Sequence, residues 1–156
     1  MEWLAPLAET GVARALIAAP TLYLLVNAAH IMGIGVLYGS ILALDLRILG
    51  LNRSVPLHVI AGFLSRMAAA GAGLAILTGL CLFSVRPVEY AGNAAFLAKL
   101  ALVAVGLAHA LVLHRGIGWR RATTDGHASA ALRLSALASI IIWTSAIVAG
   151  RWIGFL

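Results

Sequence analysis

The chain has 156 residues, of which 63% are hydrophobic and 10% are charged, and its formal net charge is +6. This composition lies outside the range of soluble globular domains and indicates an integral membrane protein. The single cysteine, Cys81, excludes an intramolecular disulfide, and we expect it to be a buried thiol within an apolar span.

The N-terminal segment is less apolar than the rest of the chain and is interrupted by prolines. We predict a short interfacial helix over residues 3–18 that leads into the first span. A cleaved signal peptide is the competing interpretation. However, Glu2 and Glu9 precede the positive charge of Arg14, and the apolar run that follows is too long for a signal peptide.

Four later segments are apolar over the length of about 20 residues that a helix needs to cross a bilayer. We predict the spans at about 21–50, 57–85, 91–115 and 129–154. Because the connections are short, neighbouring helices must run antiparallel. The predicted fold is therefore all-α, an up-down four-helix bundle that forms a single membrane domain over residues 1–156.

The cations are distributed unevenly over the two sides of this bundle. Those assigned to the connection after span one and the start of span two, and to the connection after span three, are Arg47, Arg53, Arg66, Arg115, Arg120, Arg121 and Arg133. Those assigned to the opposite side are Arg14, Arg86 and Arg151, with Lys99 inside span three. The positive-inside rule then predicts that both long basic loops are cytoplasmic and that both termini lie on the outer side of the membrane. The net charge reports this topology and does not indicate nucleic-acid binding.

Small residues stand four apart in three pairs, Gly35 with Gly39, Ala69 with Gly73, and Gly150 with Gly154. This spacing lets helix backbones approach closely in lipid. We expect packing within the bundle, with a homodimer interface as the alternative for one pair.

Polar residues inside the spans are the main pointers to function, since ionisable groups there usually face the bundle interior. At 100° per residue, Asn27, His30 and Asp45 form one stripe on span one, which we expect to face inward. His30 lies about 22 Å from Asp45 along the helix. Pairing the helices about their loops places His30 level with Lys99 on span three.

A b-type haem with two histidine ligands needs two imidazoles at one height on facing helices, small apolar walls, and basic residues for the propionates. His58 and His114 meet the height condition best, whereas His30 has no histidine at its level. A haem at His30 would have a single axial ligand, a non-histidine partner, or a ligand from another chain. Ligation shared by His30 and His109 would need the predicted heights to be wrong by two turns.

The sequence therefore defines two sets of candidate site residues. The candidate ligands of a metal or of haem iron are His30, His58, His109 and His114. The other candidate cofactor-binding residues are Asn27, Asp45, Arg47, Arg66 and Lys99, of which Lys99 or Arg66 would neutralise propionates.

Purely structural roles are the alternative for each residue. Asp45 and Arg66 could neutralise one another between spans one and two, and Lys99 could extend towards the membrane surface. A second functional interpretation is copper or proton transport, in which His30 with Met32 and Met67 supplies soft ligands and Asp45 relays protons.

Three stretches carry a family resemblance: "HIMGIGVLYGSILALDLRILGL", "GLAILTGLCLFSV" and "YAGNAAFLAKLALVAVGLAHALVLHR". They resemble a widespread family of uncharacterised bacterial four-span proteins with H-x-x-G, D-L-R-L-L-G, T-G-x-x-L-F and N-x-A-F-x-x-K-L motifs. The resemblance covers about residues 27–115. The residues at the family's motif positions are His30, Asp45, Arg47, Lys99 and His114. His58 and His109 are features of this chain.

The histidine-bearing four-helix pattern is also similar, more distantly, to b-type cytochrome membrane subunits and to copper-resistance D proteins. From these observations we expect a haem-binding or quinone-linked electron-transfer subunit with a redox partner, rather than an enzyme with its own substrate. The alternatives are copper or proton transport, and a structural membrane partner of a redox complex.

Overall fold

A computed structural model describes residues 2–51, 54–126 and 128–155, and every regular element in these ranges is helical. A 3-10 helix over Glu2–Glu9 comes first, and another over Ile153–Phe155 comes last. Between them lie α1 (Gly11–Ala18), α2 (Pro20–Leu49), α3 (Leu57–Val85), α4 (Pro87–Gly92), α5 (Ala94–Arg115), α6 (Ile117–Asp125) and α7 (Ala130–Trp152).

Four of these helices, α2, α3, α5 and α7, are long and apolar enough to cross a membrane. The protein is an all-helical four-helix membrane bundle, as the composition predicts. We call the end where α2 begins and α7 finishes the terminal end. The opposite end, where α2 finishes and α7 begins, is the basic end. Arg53, assigned to the basic end from the sequence, lies outside the described residues.

The segment predicted as one interfacial helix over residues 3–18 forms two elements. Thr10 separates them, and its hydroxyl accepts a hydrogen bond from the Ala13 amide at 3.4 Å to cap α1. Ala13 and Leu16 are buried, because α1 packs against α2 and α3. This segment is therefore part of the bundle's packing at the terminal end.

The most extensive helix contact joins α2 to α3. Their backbones approach most closely at Gly33 and Gly71: a Cβ atom on Gly71 would lie 2.5 Å from the Leu37 amide nitrogen. In lipid, helices associate largely through van der Waals contact, and residues without side chains allow the closest approach. Glycine is required at this crossing for that reason.

Helix α7 packs against both α2 and α5, so the helices are ordered α3, α2, α7, α5 across the bundle. Trp143 of α7 is buried against Gly106 of α5, where a Cβ atom would lie 2.8 Å from the indole ring. The central position of α7 places its small polar residues beside two other spans.

Helices α3 and α5 are linked by side chains near their two ends. At the terminal end, Phe83 of α3 stacks on Phe96 of α5 with ring centroids 5.4 Å apart, and Tyr90 of α4 packs against both rings. Burial raises the pKa of Tyr90 above its usual value, and the neighbouring Tyr23 raises this pKa further. At the basic end, Ser65 of α3 hydrogen-bonds with His114 of α5.

A hydrophobic core fills the basic end. It consists of Leu44, Ile48, Leu57, Ala61, Ala122, Leu132 and Ala136, which we call the basic-end core. The short helix α6 covers it, with Ala122 fully buried and Trp119 packed beside it. The Trp119 ring also lies 4.5 Å from the His114 ring. Trp119 is thus held in the bundle's packing at this end.

The spaced pairs of small residues take part in packing less than predicted. Gly35, Gly39 and Gly73 are exposed and would meet no neighbouring atom within 4 Å if a Cβ atom were added. The close contacts instead fall on Gly33 and Gly71, because these glycines face the neighbouring helix. A homodimer interface on the exposed pairs stays a prediction.

Candidate functional site

His30 lies on the face of α2 that contacts α3. Its Nδ1 atom is 3.0 Å from the Thr78 hydroxyl oxygen, and that hydroxyl donates to the Leu74 carbonyl at 2.6 Å. Because Thr78 is placed to donate its proton to this carbonyl, we assign it as the acceptor of Nδ1–H of His30. In this assignment the neutral imidazole carries its lone pair on Nε2.

Two glycines make room for the polar side chains at this level. A Cβ atom on Gly79 would lie 3.0 Å from Cε1 of His30, and one on Gly150 would lie 3.4 Å from Cδ of Lys99. Lys99, on α5, is half-buried and close enough to His30 to interact with it electrostatically. All four spans therefore contribute to one level: His30, Thr78 with Gly79, Lys99 and Gly150. We call this group the His30 site.

Asn27 does not join the His30 site. Its side chain is exposed, whereas the sequence stripe predicts that it faces inward with His30 and Asp45. Asn27 is offset by about 60° around α2 from His30, and this rotation leaves its side chain exposed although His30 contacts α3.

Asp45 is the most deeply buried ionisable residue in the described part of the chain, with 3% of its surface exposed. It forms a hydrogen bond with the Ser139 hydroxyl of α7. Its second carboxylate oxygen, Oδ2, is buried and has no hydrogen-bond partner among the described residues. A carboxylate oxygen left unsatisfied in an apolar bundle is costly and marks a functional candidate.

The predicted Asp45–Arg66 pair does not form. Arg66 is exposed, and its Nε donates to the Gly62 carbonyl of its own helix at 3.1 Å. Within the described ranges, the ion pair present is Arg86 with Glu89 in the connection between α3 and α5. Arg47 donates instead to the Val55 carbonyl at 2.7 Å, which ties the end of α2 to the loop that follows.

His109 lies at a different level from His30. Its Nε2 is 2.8 Å from the Ser135 hydroxyl oxygen of α7. Ser135 lies about 22 Å along α7 from Gly150, which belongs to the His30 site. Ligation of one metal by His30 and His109 is therefore excluded. Ser135 is instead about 6 Å along the helix from Ser139, which places His109 near the level of Asp45.

His58 and His114 do not form a ligand pair. His114 uses both ring nitrogens: Nδ1–H donates to the Ala110 carbonyl at 2.7 Å, and Nε2 accepts from the Ser65 hydroxyl at 3.0 Å. His58 is exposed and lies about two turns of α3 before Ser65. The predicted match in height is approximate, because a separation of two turns is too large for two ligands of one iron.

A soft copper site is not assembled either. Met32 and Met67 are exposed, with 61% and 37% of their surfaces accessible, and Met32 does not share the face of His30. No group of three histidine, cysteine, aspartate or glutamate residues capable of holding a metal occurs among the residues that the structure describes.

Several contributors to these sites were not singled out from the sequence. Thr78, Ser135 and Ser139 each bond to a polar residue on another span. Hydroxyl side chains are common in apolar spans, because they can bond to their own helix. These three hydroxyl residues differ from others in the spans only by their hydrogen bonds to a second helix, and the sequence does not show those bonds. The T-G sequence at Thr78 and Gly79 is the available signal, since the two residues contact the same imidazole.

Comparison with known proteins supports the resemblance to an uncharacterised family. Residues 18–156 match a family of unknown function, DUF6644. No curated protein and no solved structure matches the chain. The match gives no similarity to cytochromes or copper-resistance proteins, and it covers all four spans. The chain belongs to the family of unknown function DUF6644.

Proposed function

We propose that the protein is an integral membrane electron-transfer subunit in which His30 ligates a b-type haem through Nε2. The observation that carries this proposal is the bond from Nδ1–H of His30 to Thr78, which leaves the other ring nitrogen as the ligand atom. Ligand histidines in proteins are commonly oriented by such a bond from their second nitrogen.

The residues around His30 offer one histidine and one cation that would hold such a group. Lys99 is a cation within the bundle, has no ion-pair partner among the described residues, and is suited to a propionate. Gly79 removes a side chain from the face of the imidazole. When bound, haem supplies a one-electron ferric–ferrous couple. The described histidines do not fit a bis-histidine site, so we propose single histidine ligation by this chain.

We also propose an orientation in the membrane. The cations of the basic end support a cytoplasmic position for that end by the positive-inside rule. The His30 site, nearer the terminal end, then lies towards the periplasm of a bacterial inner membrane. Electrons would pass between this site and either a membrane quinone or a redox partner protein.

The test is an absorption spectrum of the purified protein, expressed with ample haem, before and after reduction with dithionite. We expect a stoichiometric b-type spectrum that His30→Ala abolishes. His58→Ala is the matched control, because His58 is exposed and should leave the spectrum unchanged. A wild-type protein without haem, or bleaching by His58→Ala instead, would contradict the proposal.

A second variant separates ligation from folding. Thr78→Val removes the acceptor of Nδ1–H but leaves the imidazole, so we expect haem to be retained with a changed reduction potential. An unchanged potential would show that Thr78 does not orient the ligand. Lys99→Gln should keep the iron ligand and weaken haem retention.

Proton relay is a second candidate, favoured by the unpartnered Oδ2 of Asp45. The Ser139 and Ser135 hydroxyls and His109 extend from Asp45 along α7 towards α5. We expect Asp45→Asn to reduce proton uptake into proteoliposomes under an imposed potential. Glu89→Gln, which removes an exposed carboxylate, is the control. Equal proton uptake by wild type and Asp45→Asn would exclude this role.

A further inference from the structure

A cavity of about 220 Å³ lies at the basic end, between the end of α2, the start of α3 and the start of α7. Its volume is several times the roughly 30 Å³ that one water occupies in the liquid. The cavity belongs to neither the His30 site nor the Asp45 region. It lies at the level where the spans leave the apolar part of the bundle.

Two arginines from different helices line the cavity: Arg47 in the last turn of α2 and Arg133 in the first turn of α7. The Arg47 guanidinium is positioned by its bond to the Val55 carbonyl, which uses one of its five N–H donors. The described lining residues include no carboxylate. The cavity therefore has a net positive lining suited to an anion.

The position of Arg133 strengthens this argument. A cation in the first turn of a helix is unfavourable, because the helix dipole is positive there, whereas Arg47 near the end of α2 is favourable. A bound anion would offset the unfavourable position of Arg133. The positive end of the α7 dipole attracts an anion, as the two guanidinium groups do.

The other lining residues include Ile48 and Leu57, which belong to the basic-end core. They are only 2% and 1% exposed and therefore offer little apolar surface to a ligand. Gly50 and Gly126, which also line it, have positive φ angles of 108° and 74° and leave the cavity without side chains at those points. The part of the lining that a ligand can reach is therefore polar and cationic, which suits an anionic group.

We propose that this cavity binds the phosphate of an anionic phospholipid headgroup. Guanidinium groups match phosphate oxygens in geometry and charge, and basic pockets between spans commonly hold lipid headgroups. The position of the cavity, where α2 ends and α3 and α7 begin, favours a lipid headgroup over free phosphate. This inference is independent of the proposed haem.

The experiment uses the purified full-length protein in nanodiscs of phosphatidylcholine with increasing phosphatidylglycerol, with retained lipid counted by native mass spectrometry. We expect phosphatidylglycerol to raise the melting temperature and to be retained. Arg133→Gln should weaken the apparent affinity by about tenfold, as expected for loss of a charge-assisted hydrogen bond. Arg120→Gln, which removes an exposed cation of α6 at the same end, should have little effect.

Equal weakening by Arg133→Gln and Arg120→Gln would overturn the proposal, because it would indicate general surface charge. Equal stabilisation by inorganic phosphate in pure phosphatidylcholine would overturn the assignment to lipid and indicate a soluble phosphate ligand. If Arg133→Gln folds poorly, Arg133→Lys, which keeps the charge without the planar donor pair, provides the same comparison. Unchanged retention in that variant would count against a guanidinium site.

Discussion

At the basic end, helices α2, α3, α6 and α7 bury aliphatic side chains in a common core, whereas nearer the terminal end α2 and α3 meet backbone to backbone at Gly33 and Gly71. The first region resembles the core of a small soluble domain. The second resembles the helix crossings that lipid environments favour.

The physical reason for the difference is the solvent around each region. Within the bilayer, an apolar side chain is already surrounded by hydrocarbon. Burying that side chain against another helix therefore gives little hydrophobic free energy. At the basic end, α6 and the loops extend towards water, where burial of apolar surface is strongly favourable. The basic-end core therefore forms where water contributes to the driving force.

This difference also separates the two polar regions. The His30 site lies on the terminal side of the glycine crossing between α2 and α3. Asp45 lies beside Leu44 at the edge of the basic-end core. The two polar regions therefore lie in parts of the bundle that are packed in different ways.

The largest expected effect comes from breaking the basic-end core. Ile48→Ala removes one of the most deeply buried side chains and should reduce the free energy of unfolding by about 2–5 kcal/mol. The control is Ile31→Ala on the same helix, where the side chain is 62% exposed and should contribute little. Unfolding in mixed detergent micelles measures both. Equal losses would contradict the distinction between the core and the outward-facing surface.

Gly71→Ala tests the glycine crossing. The added Cβ atom would lie 2.5 Å from the Leu37 nitrogen, so the two backbones must move apart, and we expect a loss of about 1–3 kcal/mol. Gly73→Ala, two residues further on, meets no atom within 4 Å and serves as the control. The same unfolding measurement applies. Tolerance of alanine at both positions would show that close backbone contact is not required.

The smallest expected effect concerns the contact of Tyr38 with Thr144, whose hydroxyl oxygens are 3.0 Å apart between α2 and α7. A double-mutant cycle of Tyr38→Phe and Thr144→Val should give a coupling energy of about 0.6 kcal/mol, the usual value for such bonds in membranes. Coupling as large as the loss from Ile48→Ala would mean that hydroxyl bonds, not the core, hold α2 against α7.

Much of the candidate site could be predicted by helical geometry. The common level of His30 and Lys99 follows from loop lengths and the rise per residue, because the connections between spans are short. The alternative in which Asp45 and Arg66 neutralise one another is not realised, since Arg66 bonds to its own helix and is exposed. His58 and His114 do not meet, because His58 is exposed and lies about two turns of α3 before Ser65, the partner of His114.

The sequence by itself determined that this is a membrane protein, where its four spans lie, and which ionisable residues they contain. Hydrophobicity and the thickness of a bilayer act on each segment locally, so these properties need no knowledge of neighbouring helices. The tertiary structure decided the order of the helices, the contact of α7 with both α2 and α5, and the partners of each polar side chain. Those properties depend on how each helix is rotated about its axis and on a few glycine contacts. A rotation of one helix by a fraction of a turn would alter both.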